Sequence, residues 1–477
     1  MVEEAFKYAA EPEDAATAES AWNAIQTCRE VYNHALTQEY KPAPNHNKPS
    51  YTAMQNKLPQ WKRKWADWSE VYSKCLQMAV RRIKHSETIL DKLNERGFDV
   101  GELKWKSPRE YRSICYNQSG FDVDSNTGRT DHATVEFSKI GTFHLHFHRP
   151  LPDGATIKEV ILKKQKTGDW TVSIMVEYDA DYPDKPAVED IAVEDTVGID
   201  LGITKFIHDS DGRAFRPLDE ADDRERLDTR HQVVSRKEHE SNNWNKARQR
   251  LATAYARLSN KRKAYREALT NAYTQQFDAV FLEDLNVGSM MQHTGNSLNI
   301  ASMSWYETLQ TFERFGEKNG CHVVLVPPEG TTKRCVQCGV ESDKPLWVRE
   351  HSCPSCGFET DRDMNAALEV QRRGLLQLGV VEDSSGLGQE LAESTPAETG
   401  TAAGSRFSSS RDVVPASAVV DTGSPTLKEH RSPRQRTRSA VGWGYSAVID
   451  LLTLFVAGPQ PTQSENISCI KHTICMQ

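Results

Sequence analysis

The chain has 477 residues, a formal net charge of −8 and a mean hydropathy of −0.64, and 38% of its residues are hydrophobic. This length predicts three or more structural units, and the low hydropathy predicts a substantial disordered fraction. No basic start leads into an apolar run, so no signal peptide is predicted, and the apolar run at 447–457 is too short to span a membrane. The ten cysteines include a metal-binding pattern, which favours a reducing, cytoplasmic location over a disulfide framework.

The first predicted elements are helices. Residues 15–40 and 59–96 carry helical apolar spacing, and Trp61, Trp65, Trp68 and Tyr72 form one stripe along the second segment. Basic residues on the same segment would suit a lobe that grips a phosphate backbone, although a solvated charged face is the alternative. For the aromatic stripe itself, core packing is the favoured interpretation.

From residue 106 to residue 182 the hydrophobic period changes from helical to two. Short strands are predicted at 134–137, 142–148, 158–164 and 170–178. Thr167, Gly168 and Asp169 supply turn chemistry between the last two strands. This part of the chain is therefore expected to be β-rich.

Three separated segments place carboxylates beside apolar runs. Asp200 and Glu283 each lie near the end of a buried strand, and Asp361 or Asp363 opens an Ala-rich helix running to about Arg373. Alone, each acid could be turn chemistry or a helix cap. Together they predict one shared site, because buried carboxylates are costly unless they are paired or bind metal. Such a site suits Mg²⁺ or Mn²⁺, which can activate water for phosphodiester hydrolysis.

Between the first two acids, residues 224–273 predict a long helical pair with an excess of cations. Binding to a nucleic-acid backbone by phosphate neutralisation is the favoured interpretation, and a solvated charged face is the alternative. The candidate contacts are Arg236, Lys237, Lys246, Arg248, Arg250, Lys261, Arg262 and Lys263.

Two Cys-x-x-Cys pairs, separated by residues 339–352, have the spacing of a four-thiolate zinc ribbon. The zinc would be structural, because four protein ligands leave no open position for water. Gly339 and Gly357 follow the second cysteine of each pair, where a tight turn is expected. The predicted ligands are Cys335, Cys338, Cys353 and Cys356.

After residue 378 the composition shifts to Ser, Thr, Gly, Ala and Glu with little periodicity. Residues 384–425 are predicted to be disordered. Residues 431–438 form a short basic cluster, for which both nucleic-acid contact and no specific role remain open.

The ordered set GIDLGITKF, FLEDLNV, TTKRCVQCG, CPSCG and DRDMNAA closely resembles the TnpB proteins of insertion sequences. VYSKCLQMAVRRI and YNQSGF resemble the helical and β-rich parts of that family, so the resemblance covers most of residues 1–375. It implies an RNA-guided DNA endonuclease, related to the type V CRISPR effectors, with a RuvC-like nuclease of RNase H fold.

The resemblance also implies roles for individual residues. Asp200 matches the first RuvC acid, Glu283 the second, and Asp363 the third, with Asp361 as the neighbouring alternative. The four cysteines match the zinc ligands of a ribbon inserted before the last nuclease element. The resemblance likewise implies a guide RNA from the transposon end and target DNA with a short flanking motif. It also implies that the basic helices contact the guide or the RNA–DNA duplex.

The predicted fold class is α/β multidomain. An RNase H-like (RuvC) nuclease with an inserted zinc ribbon is preceded by a β-rich wedge domain, which carries an inserted helical lobe, and is followed by a disordered tail. The predicted bounds are 1–14 and 106–190 for the wedge domain, 15–105 for the helical recognition lobe, 191–328 and 359–376 for the nuclease, 329–358 for the ribbon and 377–477 for the tail.

The predicted function is metal-dependent hydrolysis of target-DNA phosphodiesters by an RNA-guided enzyme of a transposon, with no membrane partner. Two alternatives use the same surfaces: a non-catalytic nucleic-acid-binding regulator and a DNA-joining transposase. A third, a zinc-stabilised scaffold, would bind no nucleic acid.

Overall fold

The computed structural model describes residues 1–44, 47–95, 100–125, 131–287, 290, 303–345, 347–382, 386–394 and 413–415. Two compact units are present. One comprises Met1–Ala180 and Leu227–Ala256, and the other comprises Asp181–Arg226 and the described part of Arg257–Val456. Within the described ranges, no helix has both the length and the apolar character needed to cross a membrane.

The first unit is built on a seven-stranded antiparallel sheet in the order β2-β6-β7-β1-β5-β4-β3. The four strands predicted from the period-two pattern are confirmed as β4 to β7, with small shifts at their ends. One face of β1 is buried through Phe6, Tyr8 and Ala10, while the residues between them are exposed. The strands are β1 (Val2–Pro12), β2 (Ser113–Asn117), β3 (Phe121–Asp124), β4 (His132–Phe137), β5 (Gly141–His146), β6 (Thr156–Lys164) and β7 (Trp170–Tyr178).

The described residues between β1 and β2 include four α-helices. They are α1 (Ala15–Ala35), α2 (Tyr51–Gln55), α3 (Leu58–Lys64) and α4 (Ser73–Glu95). A π-helical turn, Leu36–Tyr40, continues α1, so the helix predicted over 15–40 is confirmed. The side chain of Asp14 caps its start by accepting a hydrogen bond from the backbone N–H of Thr17.

The prediction of one continuous helix over 59–96 is wrong. The chain ends α3 at Trp65, which is extended (φ −121°, ψ 99°), forms a 3₁₀ turn at Ala66–Ser69 and starts again at Ser73. The rings of Trp61, Trp65 and Trp68 all lie within 5.6 Å of the His34 ring, measured between centroids. Three rings spaced along a straight helix could not all surround one imidazole, so packing around His34 overrides the helical spacing.

The second unit is built on a six-stranded mixed sheet in the order β12-β11-β8-β9-β10-β15. β8, β11 and β12 are parallel, whereas β9, β10 and β15 add to the sheet in antiparallel fashion. A separate hairpin contains β13 (Glu350–Ser352) and β14 (Glu359–Asp361). The sheet strands are β8 (Thr196–Asp200), β9 (Ile207–Asp209), β10 (Arg213–Phe215), β11 (Ala279–Glu283), β12 (His322–Val326) and β15 (Val413–Pro415).

The helical pair predicted at 224–273 is confirmed as α5 (Ala221–Ser235) and α6 (Asn242–Gln276). The other helices of the described residues are α7 (Trp305–Asn319), α8 (Arg362–Leu378) and α9 (Leu387–Ser394). The predicted Ala-rich helix is α8, which continues past Arg373 to a left-handed Gly379 at its C-cap.

Two glycines let α8 lie directly on the sheet. A Cβ at Gly198 of β8 would come within 2.1 Å of the carbonyl oxygen of Ala367. A Cβ at Gly374 of α8 would come equally close to the ring of Phe281 on β11. Any side chain at either position would push the helix away, so these glycines fix the start of α8 beside the ends of β8 and β11.

Disorder across 384–425 is contradicted at α9. Leu387 and Leu391, four residues apart on one helical face, are buried and join the apolar cluster that contains Val336 and Leu375. The polar composition of the segment suggested that the entropic cost of ordering it would dominate. Burial of the two leucines offsets that cost. The basic cluster at 431–438 and the apolar run at 447–457 lie outside the described residues.

Candidate active site and zinc ribbon

Asp200 and Glu283 lie at the same edge of the second sheet. β8 and β11 are parallel neighbours, with Ile199 opposite Leu282, and the two acids are the last residues of their strands. Both are buried, with exposed fractions of 8% for Asp200 and 5% for Glu283. Because parallel strands end at one edge, the sheet directs these acids to a common region, as the sequence predicted.

The two candidates for the third acid have different environments. Asp361 caps α8, since its Oδ1 accepts hydrogen bonds from the backbone N–H groups of Asp363 (2.8 Å) and Met364 (3.3 Å). Its Oδ2 accepts a further hydrogen bond from Lys205 Nζ at 2.9 Å. Asp363 lies in the first turn of α8 and makes no such cap. Both carboxylate oxygens of Asp361 are thus engaged in hydrogen bonds that hold the start of α8, which favours Asp363 as the candidate metal ligand.

The three acids share one electrostatic environment. Burial raises the pKa of Asp200 well above its usual range, and the negative charges of Glu283 and Asp363 raise it further. Burial also raises the pKa of Glu283, although the hydroxyl of Thr331 donates a hydrogen bond to this carboxylate. Carboxylate oxygens are the donors that Mg²⁺ and Mn²⁺ prefer. Among the described residues, however, only the four cysteines of the ribbon bring three or more possible ligand atoms within 4.8 Å of one another.

Lys205 is a site residue that the sequence reasoning missed. It follows Asp200 by five residues and is only 5% exposed, yet it carries a charge. Its Nζ lies 2.9 Å from Asp361 Oδ2 and 3.4 Å from Asp363 Oδ2. A lysine between Ile203 and Phe206, in an apolar run beside an acid, was the available signal. Lys205 offsets part of the negative charge and holds the start of α8.

We expect Lys205→Met to destabilise the zinc-loaded protein by about 3–5 kcal/mol in buffer without Mg²⁺ or Mn²⁺, because two carboxylates lose their buried cation. Mg²⁺ should then raise the melting temperature of the variant more than that of the wild type, since a divalent ion can replace the lost charge. Thermal unfolding without and with added Mg²⁺ measures both effects. Lys205→Arg, which keeps the charge, is the control. An unchanged melting temperature for Lys205→Met without Mg²⁺ would contradict this role.

The four predicted zinc ligands converge. Their Sγ atoms all lie within 4.8 Å of one another, with Cys335–Cys356 at 3.7 Å and Cys338–Cys353 at 3.4 Å. Tetrahedral zinc with bonds of about 2.3 Å requires sulfurs about 3.8 Å apart, so the side chains fit this ion without rearrangement.

The ribbon backbone supports the thiolates. Gly339 and Gly357 have left-handed φ angles of 74° and 75° and donate to the carbonyls of Cys335 and Cys353, which confirms the predicted tight turns. Burial raises the pKa of Cys353, but nearby backbone N–H groups outweigh it and lower the pKa to about 6. The balance is reversed at Cys335, where burial raises the pKa of the thiol to about 12, so this sulfur would lose its proton only to a bound metal.

Asn365, two residues after Asp363, connects α8 to the first pair of cysteines. Its Nδ2 donates to the carbonyl of Arg334 at 2.7 Å, and its Oδ1 accepts from the N–H of Val336 at 3.1 Å. Glu369, one turn further along α8, is fully buried and lies 3.6 Å from Arg334 Nε. The loop that carries Cys335 is thus bonded to the helix that begins at the third acid. The sequence reasoning missed this connection.

The eight predicted nucleic-acid contacts fall into three groups. Lys261, Arg262 and Lys263 form ion pairs with carboxylates of the same unit. Arg248 lies over the ring of Trp244, 4.6 Å from its centroid. The exposed remainder is Arg236, Lys237, Lys246 and Arg250.

The second unit therefore belongs to a definite class: a mixed α/β protein with buried acids at one sheet edge and a four-thiolate ribbon bonded to the helix of the third acid. A family model described as "Probable transposase" matches residues 173–294, and one described as "Cas12f1-like, TNB domain" matches residues 305–370.

Similar proteins include a "Putative RNA-guided DNA endonuclease" of Streptomyces pristinaespiralis, which is 30% identical over 79% of this chain and 90% of its own length. Another is the "Putative RNA-guided DNA endonuclease InsQ" of Escherichia coli K12, 24% identical over 77% of this chain and 92% of its own. Among solved structures, a chain of a Cas12f1–sgRNA–target DNA complex is similar in fold, with a TM-score of 0.44 and 12% sequence identity. The match covers 74% of this chain and 81% of that one.

The chain belongs to the TnpB family of RNA-guided DNA endonucleases.

Proposed function

We propose that this protein is an RNA-guided DNA endonuclease of a transposon that hydrolyses phosphodiesters of target DNA with divalent cations. The observation that carries the proposal is the meeting of Asp200 and Glu283 at one sheet edge, with Asp363 close enough to shift the pKa of Asp200. Full-length relatives with endonuclease names support the same conclusion.

The sheet order supports an RNase H-like (RuvC) assignment for the nuclease, proposed here with the bounds 191–328 and 359–376. Numbered from β8, the first five strands along the chain occupy the order 5-4-1-2-3, and among these five only the second runs antiparallel to the other four. For the rest of the chain, we assign the wedge domain to 1–14 and 106–190, the helical lobe to 15–105, the ribbon to 329–358 and the tail to 377–477.

In the proposed site, Asp200, Glu283 and Asp363 would hold Mg²⁺ or Mn²⁺. Such ions would supply activation of a water nucleophile and stabilisation of the leaving oxygen. Thr331 fixes the carboxylate of Glu283 by hydrogen bonding, and Asp361 with Lys205 orients the first turn of α8. The zinc held by the four cysteines is structural and supports the backbone around Arg334.

Crowded cations of the first unit support contact with a guide RNA or an RNA–DNA duplex. Burial lowers the pKa of Arg248, and the neighbouring Arg109 lowers it further. Burial also lowers the pKa of Arg112, and the charge of Arg248 lowers it further. For Lys164, burial lowers the pKa and the charge of Arg112 adds to the effect. Cations that lower one another's pKa are relieved by phosphate, which neutralises them. Together with Arg236, Lys237, Lys246 and Arg250 of the same unit, they form the proposed backbone-binding surface. Lys261, Arg262 and Lys263 belong to the second unit and are proposed as separate contacts.

Sequencing of RNA that co-purifies with the protein tests the guide, and incubation of that complex with matching duplex DNA tests the reaction. We expect a transposon-end RNA and double-strand breaks in Mg²⁺, with no breaks when the zinc-loaded complex is kept in buffer without Mg²⁺ or Mn²⁺. The control is a duplex that lacks the sequence complementary to the guide.

Each alternative function has its own outcome in this experiment. Guide and DNA binding without breaks in Mg²⁺ or Mn²⁺ would select the non-catalytic regulator. Joined products would select the DNA-joining transposase, and the absence of any bound RNA would select the scaffold.

A further inference from the structure

Three histidines share one face of the seven-stranded sheet in the first unit. His144 and His146 are two residues apart on β5, so their side chains leave the same face of the sheet. His132 of β4 is paired directly with His146 across the two antiparallel strands, which places it on that face too. The intervening residues Ala133 and Leu145 are buried on the opposite face. Two imidazoles from one strand and a third from its neighbour are thus brought side by side.

A carboxylate lies beside the three imidazoles. Glu11 of β1 is paired with His144 on the other side of β5, and the alternation of buried and exposed residues along β1 puts its side chain on the exposed face. The HLH pattern of β5 cannot predict this acid, because the two residues meet only through the pairing of β1 with β5. Imidazole nitrogens and carboxylate oxygens together are ligands of Zn²⁺ and of other first-row divalent ions.

Two of the imidazoles are spaced for a shared ion. The ring centroids of His132 and His144 lie 5.3 Å apart. Two imidazoles on one tetrahedral zinc have ring centroids about 5 Å apart, because each Zn–N bond is about 2.0 Å long. The Nδ1 atom of His144 is buried and, within the described ranges, has no hydrogen-bond partner. A buried ring nitrogen of this kind is costly unless a water or an ion binds beside it.

The third imidazole and the carboxylate have to turn towards the first two. The ribbon cysteines are the only group of the described residues with three or more possible ligand atoms within 4.8 Å, so the nitrogens of the three histidines do not yet meet. Both His146 and Glu11 are exposed, and exposed side chains change rotamer within nanoseconds. The paired strands fix the backbone positions, and rotation of these two side chains would complete the ligand set.

We propose that His132, His144 and His146 bind a divalent transition-metal ion such as Zn²⁺, with Glu11 as the fourth ligand. Four protein ligands make such a site structural, and the ion would tie β1 to the hairpin of β4 and β5. These ligands belong to the first unit, whereas the ribbon and the acids belong to the second. The inference therefore does not depend on the proposed nuclease function.

The test uses the full-length protein with zinc already in the ribbon, in buffer with excess Mg²⁺ to compete at the acids. Titration with Zn²⁺ should show one further equivalent bound per chain and a higher melting temperature. Co²⁺ in its place should give the visible absorption of tetrahedral cobalt without a sulfur-to-metal charge-transfer band, because nitrogen and oxygen bind it.

Two variants locate the further equivalent. His132→Ala should weaken its binding more than about 100-fold, since loss of a group that only orients a ligand already costs about 10- to 100-fold. Glu11→Ala tests the fourth ligand and should weaken the same equivalent. Circular dichroism and the ribbon zinc, which should be unchanged, verify that each variant is folded.

His148→Ala is the matched control. His148 is an exposed histidine that follows β5, with its ring 5.4 Å from that of Tyr8 between centroids, and this variant should bind the further equivalent like the wild type. A wild-type protein that binds no further Zn²⁺, or His132→Ala that binds it with full affinity, would overturn the inference. Loss of co-purifying RNA from His132→Ala with no change in metal binding would also overturn it, because the histidines would then contact nucleic acid.

Discussion

Asp200→Ala should reduce cleavage of guided DNA by about three orders of magnitude or more, the scale on which single members of a catalytic unit act. The change removes one of two carboxylates that the sheet itself directs to a common edge, and no neighbouring acid can move into its place from a buried strand end. Single-turnover cleavage in Mg²⁺ measures the loss, and a gel-shift assay should show that guide and target binding are retained.

Asp195→Ala is the control for this prediction. Asp195 precedes the opposite end of β8 and is exposed, so its removal changes the net charge equally without touching the site. Cleavage by Asp200→Ala at the wild-type rate would remove the basis of the nuclease assignment.

A substitution at Asp200 that abolishes cleavage should nevertheless stabilise the fold when no divalent cation is bound at the acids. Burial and the charges of Glu283 and Asp363 raise the pKa of Asp200 in the folded state above that of the unfolded chain. A raised carboxyl pKa gives stability at low pH that is lost as pH rises through the folded-state value. In zinc-loaded protein without Mg²⁺ or Mn²⁺, Asp200→Asn should therefore melt at a higher temperature than the wild type at neutral pH, and this gap in melting temperature should narrow as the pH falls.

Local patterns in the sequence were enough to predict the zinc ligands and the strands that carry the acids. Four thiolates at ribbon spacing constrain their own geometry, and an acid at the end of an apolar strand can only lie at a sheet edge. The family resemblance favoured Asp363 over Asp361, and the cap of α8 supplies a physical reason for this choice, because Asp361 accepts hydrogen bonds from backbone N–H groups and from Lys205.

Contacts between distant segments could not be predicted from local patterns. Lys205 meets Asp361 across 156 residues, and Asn365 meets Arg334 across 31. The helix predicted over 59–96 failed for a similar reason, because His34 of α1 gathers three tryptophans that helical spacing alone would align. In each case tertiary packing outweighed a correct local pattern.

Loss of the zinc ion should also abolish cleavage, although zinc takes no part in the chemistry. Cys335→Ser removes the ligand that is fully buried in the ribbon, and structural zinc sites supply about 10–16 kcal/mol of binding free energy that is coupled to folding. The backbone beside Cys335 is the part bound by Asn365, so its release would free the first turn of α8 and displace Asp363. Metal analysis and cleavage assays on the same sample measure both losses.

Cys321→Ser is the matched control, because Cys321 is a buried thiol that precedes β12 and lies outside the ribbon. Asn365→Ala separates the two steps: it should retain zinc yet cleave about 10- to 100-fold more slowly, as expected when a group that positions a ligand is lost. A zinc-free Cys335→Ser protein with full activity would show that the ribbon does not position α8. If Asn365→Ala retained both zinc and full activity, the amide would not be the link, and the buried Glu369–Arg334 contact would carry the coupling instead.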